Sequence, residues 1–177
     1  MPPMPSRKGR DGHHPPPPPT VTARADCSGA SGLGDVFSDV AGFTATPKCP
    51  VDVDSAFADP EFLARFSETA AAEVAKDASP IVNVFVGRLD SGSGDAFVST
   101  FLSDLSAKAA HANPPKTVAT SALDLGGHPA QYFNVPLAMD GYLAARGSVV
   151  AIAYKAAGAP EDSARDAMDK VLANLPR

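Results

Sequence analysis

The strongest hydrophobic pattern in the chain is the apolar, largely β-branched segment Ile81–Val86, which predicts a central strand covered on both faces. A break rich in Gly and Ser follows it. Apolar residues then recur at helical spacing from about Asp95 to Asn113, and Pro114 ends this pattern. The pattern therefore predicts a strand that leads directly into an amphipathic helix.

An earlier helix is predicted to begin at Phe57 or Asp59 and to run to about Asp77. Asp59 suits the N-cap position and Pro60 suits the first helical position. The apolar residues that fall on one face of such a helix are Phe62, Leu63, Phe66, Ala70 and Val74. Pro80 requires the helix to end before it.

In the C-terminal half, the hydrophobic residues recur at the shorter intervals that are typical of strands. Strands are predicted over 117–125 and 130–135, joined by a Gly-Gly turn, and over 142–146 and 148–155, joined by an Arg-Gly turn. An amphipathic helix is predicted from about Pro160 to the last residues. The fold class is therefore α+β, with an antiparallel sheet of about five strands, helices packed on it, and the order α-β-α-β-β-β-β-α.

Proline usage divides the chain into a tether and a domain. Residues 1–26 contain the run Pro15–Pro19 and predict an extended, disordered, proline-rich tether. Residues 27–177 predict a single α+β domain that begins with an irregular lead-in, residues 27–56. A short helix or turn in this lead-in is expected to pack on the core through Val36, Phe37, Val40 and Phe43.

Charge and hydropathy restrict the classes of partner. The net charge is −5, and the tether is basic, so the domain is more acidic than the whole chain. Nucleic-acid binding needs clustered Lys and Arg, so no nucleic-acid partner is expected. A membrane-spanning helix needs about 20 mostly apolar residues, and no window of the sequence provides them.

The two cysteines bear on the cellular compartment. Cys27 and Cys49 lie in a segment rich in Gly, Ser, Asp and Pro, which favours one disulfide and therefore an oxidising, extracytoplasmic location. Two unrelated free thiols are the alternative. Lipid attachment at Cys27 is a third interpretation, but Arg24 and Asp26 occupy positions where an apolar lipobox is required.

Catalytic and cofactor motifs are not evident. The sequence has no Gly-x-Ser-x-Gly motif, and His111 and His128 fit surface positions near a helix end and in a turn. The pair His13–His14 lies in the tether, and no cluster has metal-ligand spacing. We therefore predict no catalytic residue, no metal site and no cofactor.

The glycines between the first predicted strand and its helix allow two interpretations. Gly92 and Gly94 lie where free backbone N–H groups can hold an anion. Asp90 and Asp95 would repel phosphate, and no Lys-Ser or Lys-Thr pair follows. A simple loop with a helix N-cap is the favoured interpretation.

Tyrosines on the predicted strands mark a candidate binding surface. Tyr132, Tyr142 and Tyr154, with Asn134 and Arg146, are positioned to line a polar groove on an exposed sheet face. Cross-strand aromatic packing is the alternative interpretation of the same tyrosines. The predicted binding residues are Tyr132, Asn134, Tyr142 and Arg146.

The C-terminal half resembles a known fold group. The segment Leu125–Ala130, a strand through Tyr132, the Gly147 hairpin and a closing amphipathic helix resemble the Mog1/PsbP/DcrB-type α/β/α sandwich. The resemblance covers about residues 57–177. It implies a scaffold or binding role of the kind found in small extracytoplasmic proteins and lipoproteins of high-GC Gram-positive bacteria, and it carries no shared catalytic residues.

Two functional hypotheses follow. The first is a non-enzymatic, extracytoplasmic, envelope-tethered domain that binds a protein partner or a small-molecule ligand. The second is a small hydrolase or lyase with a dispersed site near His128 and Asp124.

Overall fold

A computed structural model describes residues 32–48, 51, 53, 61–77, 79–156 and 161–176. The predicted tether, the cysteines Cys27 and Cys49, and the predicted N-cap Asp59 with Pro60 lie outside these residues.

The described residues form one antiparallel sheet of seven strands with helices on both faces. The strands are β1 (Thr44–Pro47), β2 (Phe66–Lys76), β3 (Ser79–Leu89), β4 (Ala119–Leu125), β5 (His128–Val135), β6 (Met139–Arg146) and β7 (Val149–Ala156). Their order across the sheet is β1-β2-β3-β7-β6-β5-β4. The helices are α1 (Gly94–Ala110) and α2 (Glu161–Ala173), with short 3-10 helices η1 (Gly32–Phe37) and η2 (Phe62–Arg65). None of the helices in this described part is both long enough and apolar enough to cross a membrane.

The α+β class with an antiparallel sheet is confirmed, but the expectation of about five strands is wrong because the sheet has seven. The predicted strand at Ile81–Val86 lies within β3. The predicted helix after it is α1, and the four C-terminal strands and the last helix also form. The additional strands are β1 and β2, which lie before β3 in the chain.

The predicted helix over residues 59–77 is wrong, because the described part of this segment forms η2 and β2. A spacing of four residues places side chains on one face of a helix, but it also preserves the alternation of a strand. Ala70, Ala72 and Val74 accordingly lie on one face of the sheet. A register shift between Phe66 and Glu68 places Phe66 on the other face.

The sheet separates two hydrophobic cores. The alternation of β3 is representative, since Val84 and Val86 face the layer of α2 and η1, whereas Phe85 faces the layer of α1 and η2. All three side chains are buried. The prediction of a central strand covered on both faces is therefore confirmed.

Side-chain hydrogen bonds hold η1 onto the α2 face. The Glu68 carboxylate accepts a hydrogen bond from the backbone N–H of Leu33 at 2.7 Å and one from Arg88 Nε at 3.2 Å. The Asn174 amide, just after α2, donates to the carbonyl oxygens of Val36 at 3.0 Å and Asp39 at 2.7 Å. Residues 33–39 of the lead-in are therefore fixed both to the sheet and to the end of the last helix.

Candidate functional site

Polar side chains meet on the α2 face where β5, β6 and β7 lie side by side. The strand registers place Tyr132 opposite Tyr142, Asn134 opposite Asp140, and Asp140 opposite Lys155. Residues opposite one another in an antiparallel pair share a face, so all five side chains lie on one side of the sheet. We refer to these five residues as the polar cluster.

The centre of the polar cluster is a buried ion pair. Lys155 Nζ lies 2.8 Å from Asp140 Oδ1, and the two side chains are 3% and 6% exposed. The other carboxylate oxygen, Oδ2, accepts a hydrogen bond from the Tyr132 hydroxyl at 3.3 Å. Oδ1 is buried without a hydrogen bond of good alignment, so its contact with the ammonium is electrostatic. The carboxylate thus joins an ammonium group to a phenol.

The tyrosines of the polar cluster also pack on each other. The rings of Tyr132 and Tyr142 lie 5.4 Å apart, centroid to centroid, at 52°. Tyr142 is buried, whereas Tyr132 is half-buried, as is Asn134 on the same strand. Tyr132 therefore combines cross-strand packing with a polar contact, and the side of the cluster open to solvent carries a phenol and an amide.

Two residues of the predicted groove lie elsewhere. Arg146 is on the same face but at the far end of β6, where its Nη1 donates a hydrogen bond to the carbonyl oxygen of Leu175 at 3.1 Å. Tyr154 is on the opposite face, within the core beneath α1. The structure thus brings together Tyr132, Asn134 and Tyr142, and it assigns Arg146 to the end of α2.

The sequence interpretation missed Asp140 and Lys155, although a signal for them exists. It began the third C-terminal strand at Tyr142, whereas β6 begins at Met139. Extending the predicted hairpin outward from the pair of Arg146 and Val149 by equal steps places Asp140 opposite Lys155. Opposite charges at facing positions of two otherwise apolar strands indicate a cross-strand ion pair.

The segment before α1 forms a loop and helix cap. The Ser93 hydroxyl accepts a hydrogen bond from Ala96 N at 3.2 Å, which makes Ser93 the N-cap. The N–H of Gly94 donates to the carbonyl oxygen of Gly147 at 2.8 Å, so it is not free to bind an anion. A groove of about 400 Å³ adjoins this loop, and Asp90 is among its lining residues. These contacts confirm the loop and cap interpretation.

Among the described residues, the side chains of His128 and Asp124 are not joined to each other. Asp124 Oδ1 accepts the backbone N–H of Gly127 at 2.7 Å, a turn-forming contact. His128 is half-buried, and no hydrogen bond or ion pair joins its imidazole to another described side chain. Across the described ranges, no group of three or more His, Cys, Asp or Glu residues is arranged to hold a metal ion. The hydrolase or lyase hypothesis therefore stays a prediction, and no described side chain orients His128 as a base.

Comparison with known proteins does not assign the chain to a family. A scan against protein-family models finds no matching family, and a search of curated proteins finds no match. The resemblance to Mog1/PsbP/DcrB-type sandwiches therefore stays a prediction.

Proposed function

We propose that this protein is a non-enzymatic, extracytoplasmic binding domain, tethered to the cell envelope, that binds a small ligand at the polar cluster. The observation that carries the proposal is the buried pair of Asp140 and Lys155 beneath the half-buried Tyr132 and Asn134.

The energetics of the pair favour a role in recognition. Removing two charges from water costs several kcal/mol per ion, and a hydrophobic pair of similar volume often stabilises a fold equally well or better. On this face of β6 and β7, Ala144, Ala151 and Ala153 are apolar and buried. A charged pair within such a face supports a function that apolar residues cannot supply.

The accessible groups define the class of ligand. Asp140 and Lys155 carry opposite charges, so the pair has no net charge to attract an ion. Asn134 offers an amide N–H₂ and an amide oxygen, and the Tyr132 hydroxyl, which donates its proton to Asp140, offers an acceptor oxygen. This set matches a neutral ligand that carries hydroxyl or amide groups, such as a sugar or a short peptide segment.

The proposed location rests on the N-terminal residues. The run Pro15–Pro19 favours an extended spacer, and Cys27 and Cys49 favour a disulfide formed outside the cytoplasm. The first described element, η1, is held by Glu68 and Asn174 on the α2 face, which also carries the polar cluster.

Substitution of Tyr132 by Phe tests the binding site. A library of neutral fragments bearing hydroxyl or amide groups would be screened by ligand-observed NMR, and the hits titrated into ¹⁵N-labelled protein. Tyr132→Phe removes one hydroxyl, so we expect at least about a fivefold loss of affinity for the hits. Tyr154→Phe, the same chemical change on the opposite face, is the matched control and should leave affinity unchanged.

The titration also shows where the fragments bind. Shifts centred on the amides of 132–134 and 140–142 would support the proposed site. Shifts confined to α1, or equal losses in Tyr132→Phe and Tyr154→Phe, would show that the polar cluster is not the binding site.

The disulfide is tested by intact mass after alkylation of the denatured protein without reductant. Protein produced in an oxidising compartment is expected to carry no label at Cys27 or Cys49, and to be labelled at both after reduction. In the chain-entropy model a loop of this size contributes about 3 kcal/mol, so reduction should lower the melting temperature. The Cys27→Ser/Cys49→Ser variant controls for the reductant, and two labels before reduction would contradict an extracytoplasmic disulfide.

A further inference from the structure

The outer edge of β4 is exposed. Within the described residues β4 pairs only with β5, and it is the last strand of the sheet. Ala119, Thr120, Ser121 and Ala122 are all exposed. An edge strand presents unpaired backbone N–H and C=O groups, which are a template for pairing with another strand.

The two edges of the sheet differ in how they resist such pairing. The other edge strand, β1, has only four residues and ends at Pro47. Short length and proline are features that natural sheets use to block edge pairing. β4 has seven residues in regular register with β5, without a bulge or a proline, and residues 117–123 carry no charge. Only the β1 edge carries this protection.

We infer that a second copy of this chain pairs with β4, in an antiparallel arrangement centred on Ser121. This register places Ser121 opposite its symmetry mate, Thr120 opposite Ala122, and Ala119 opposite Leu123. Asp124 faces Val118 of the other copy, so no like charges are opposed. The residues around Ser121 carry no charge, so two copies of this strand can pair antiparallel without repulsion. A two-fold interface requires such self-complementarity.

The pairing would make one continuous sheet of fourteen strands. The two-fold axis of an antiparallel pair stands perpendicular to the sheet, so the α2 layers of both copies lie on the same side. Leu123 is half-buried against the α2-side core, and Ala119 of the second copy would extend that apolar surface. An extended segment of an unrelated protein is the other occupant that such an edge can accept, and the oligomeric state distinguishes the two.

The experiment is sedimentation equilibrium of the full chain from about 1 to 500 µM, for wild type, Ser121→Lys and Thr46→Lys. Ser121→Lys places two ammonium groups opposite each other at the two-fold, whereas Thr46→Lys adds the same charge to the β1 edge. We expect a wild-type dimer, at least a tenfold weaker dimer for Ser121→Lys, and an unchanged dimer for Thr46→Lys. Far-UV circular dichroism confirms that each variant is folded.

Hydrogen exchange provides a second measurement that needs no substitution. Amides within 119–123 should gain protection as the wild-type concentration rises, while amides of 44–47 should not. A wild-type monomer over the whole range would overturn the inference and leave the edge to a different partner. A dimer that both lysine variants weaken equally, or that neither weakens, would overturn it as well.

Discussion

Replacing Asp140 with alanine is expected to lower the free energy of unfolding by about 3–5 kcal/mol. The substitution leaves the Lys155 ammonium buried at 3% exposure without its carboxylate, and it removes the acceptor of the Tyr132 hydroxyl. The exposed Asp104→Ala on α1 is the matched control and should change stability by less than about 0.5 kcal/mol. Urea unfolding followed by circular dichroism measures both values.

The double variant Asp140→Leu/Lys155→Met separates the cost of a broken pair from the contribution of the intact pair. Both charges are then absent, and the apolar side chains have similar volume, so stability near that of wild type is expected. A double variant as unstable as Asp140→Ala would show that the pair itself stabilises the fold. A loss below about 1 kcal/mol for Asp140→Ala would contradict an effectively buried pair.

The same double variant bears on function. It should fold, yet it lacks the carboxylate that orients the Tyr132 hydroxyl. Loss of fragment binding in a stable double variant would therefore assign the ion pair to recognition. Retained binding would restrict the site to Tyr132 and Asn134.

Substitution of Gly141 by alanine is expected to cost about 3 kcal/mol or more. A Cβ at this position would lie 2.9 Å from Phe133 Cζ and 3.0 Å from the Cα of Tyr154, and closer still to the carbonyl oxygen of Ala153. The backbone of β7 cannot move away without breaking its pairing with β6. Gly141 therefore allows the fully buried Phe133 ring to pack directly on the strand.

Gly34→Ala is the matched control, because a Cβ there would meet no atom within 4 Å. Chemical unfolding of both variants gives the comparison, and Gly34→Ala should stay within about 0.5 kcal/mol of wild type. Combining Gly141→Ala with Phe133→Leu should not restore stability, since the contact with the Ala153 oxygen remains. Full rescue by Phe133→Leu would show that glycine is required at position 141 only because the Phe133 ring packs there.

Local sequence features were sufficient to predict most elements of the fold. Gly, Ser and Pro residues mark the ends of β3 and α1, and turns centred on Gly connect the strands of both C-terminal hairpins. These elements could therefore be predicted without knowing their neighbours. β2 could not, because Ala, Glu and Lys within 66–76 favour a helix and a four-residue apolar spacing suits both structures. Its strand conformation depends on pairing with β3 on one side and β1 on the other.

The candidate site was predictable to the extent that hairpin register determines it. Tyr132 and Tyr142 face each other because β5 and β6 form a hairpin, and Asn134 follows from the same alternation. Asp140 was missed because the start of β6 was placed too close to the turn, and Lys155 was missed because its partner on β6 was therefore not recognised. Arg146 was assigned to the site because no local feature of the sequence indicates that Leu175, just after α2, lies next to the turn between β6 and β7.

The hydrogen bonds of Asn174 have a consequence for how this body can be joined to other chains. One amide group contacts both Val36 and Asp39, so the end of η1 and the residue that follows α2 are in contact although more than 130 residues separate them. A body whose two ends are adjacent can be placed within a surface loop of another protein without stretching that loop. Circular permutation, with new ends in the exposed Ser91–Gly92 turn, would likewise leave every strand pairing of the sheet in place.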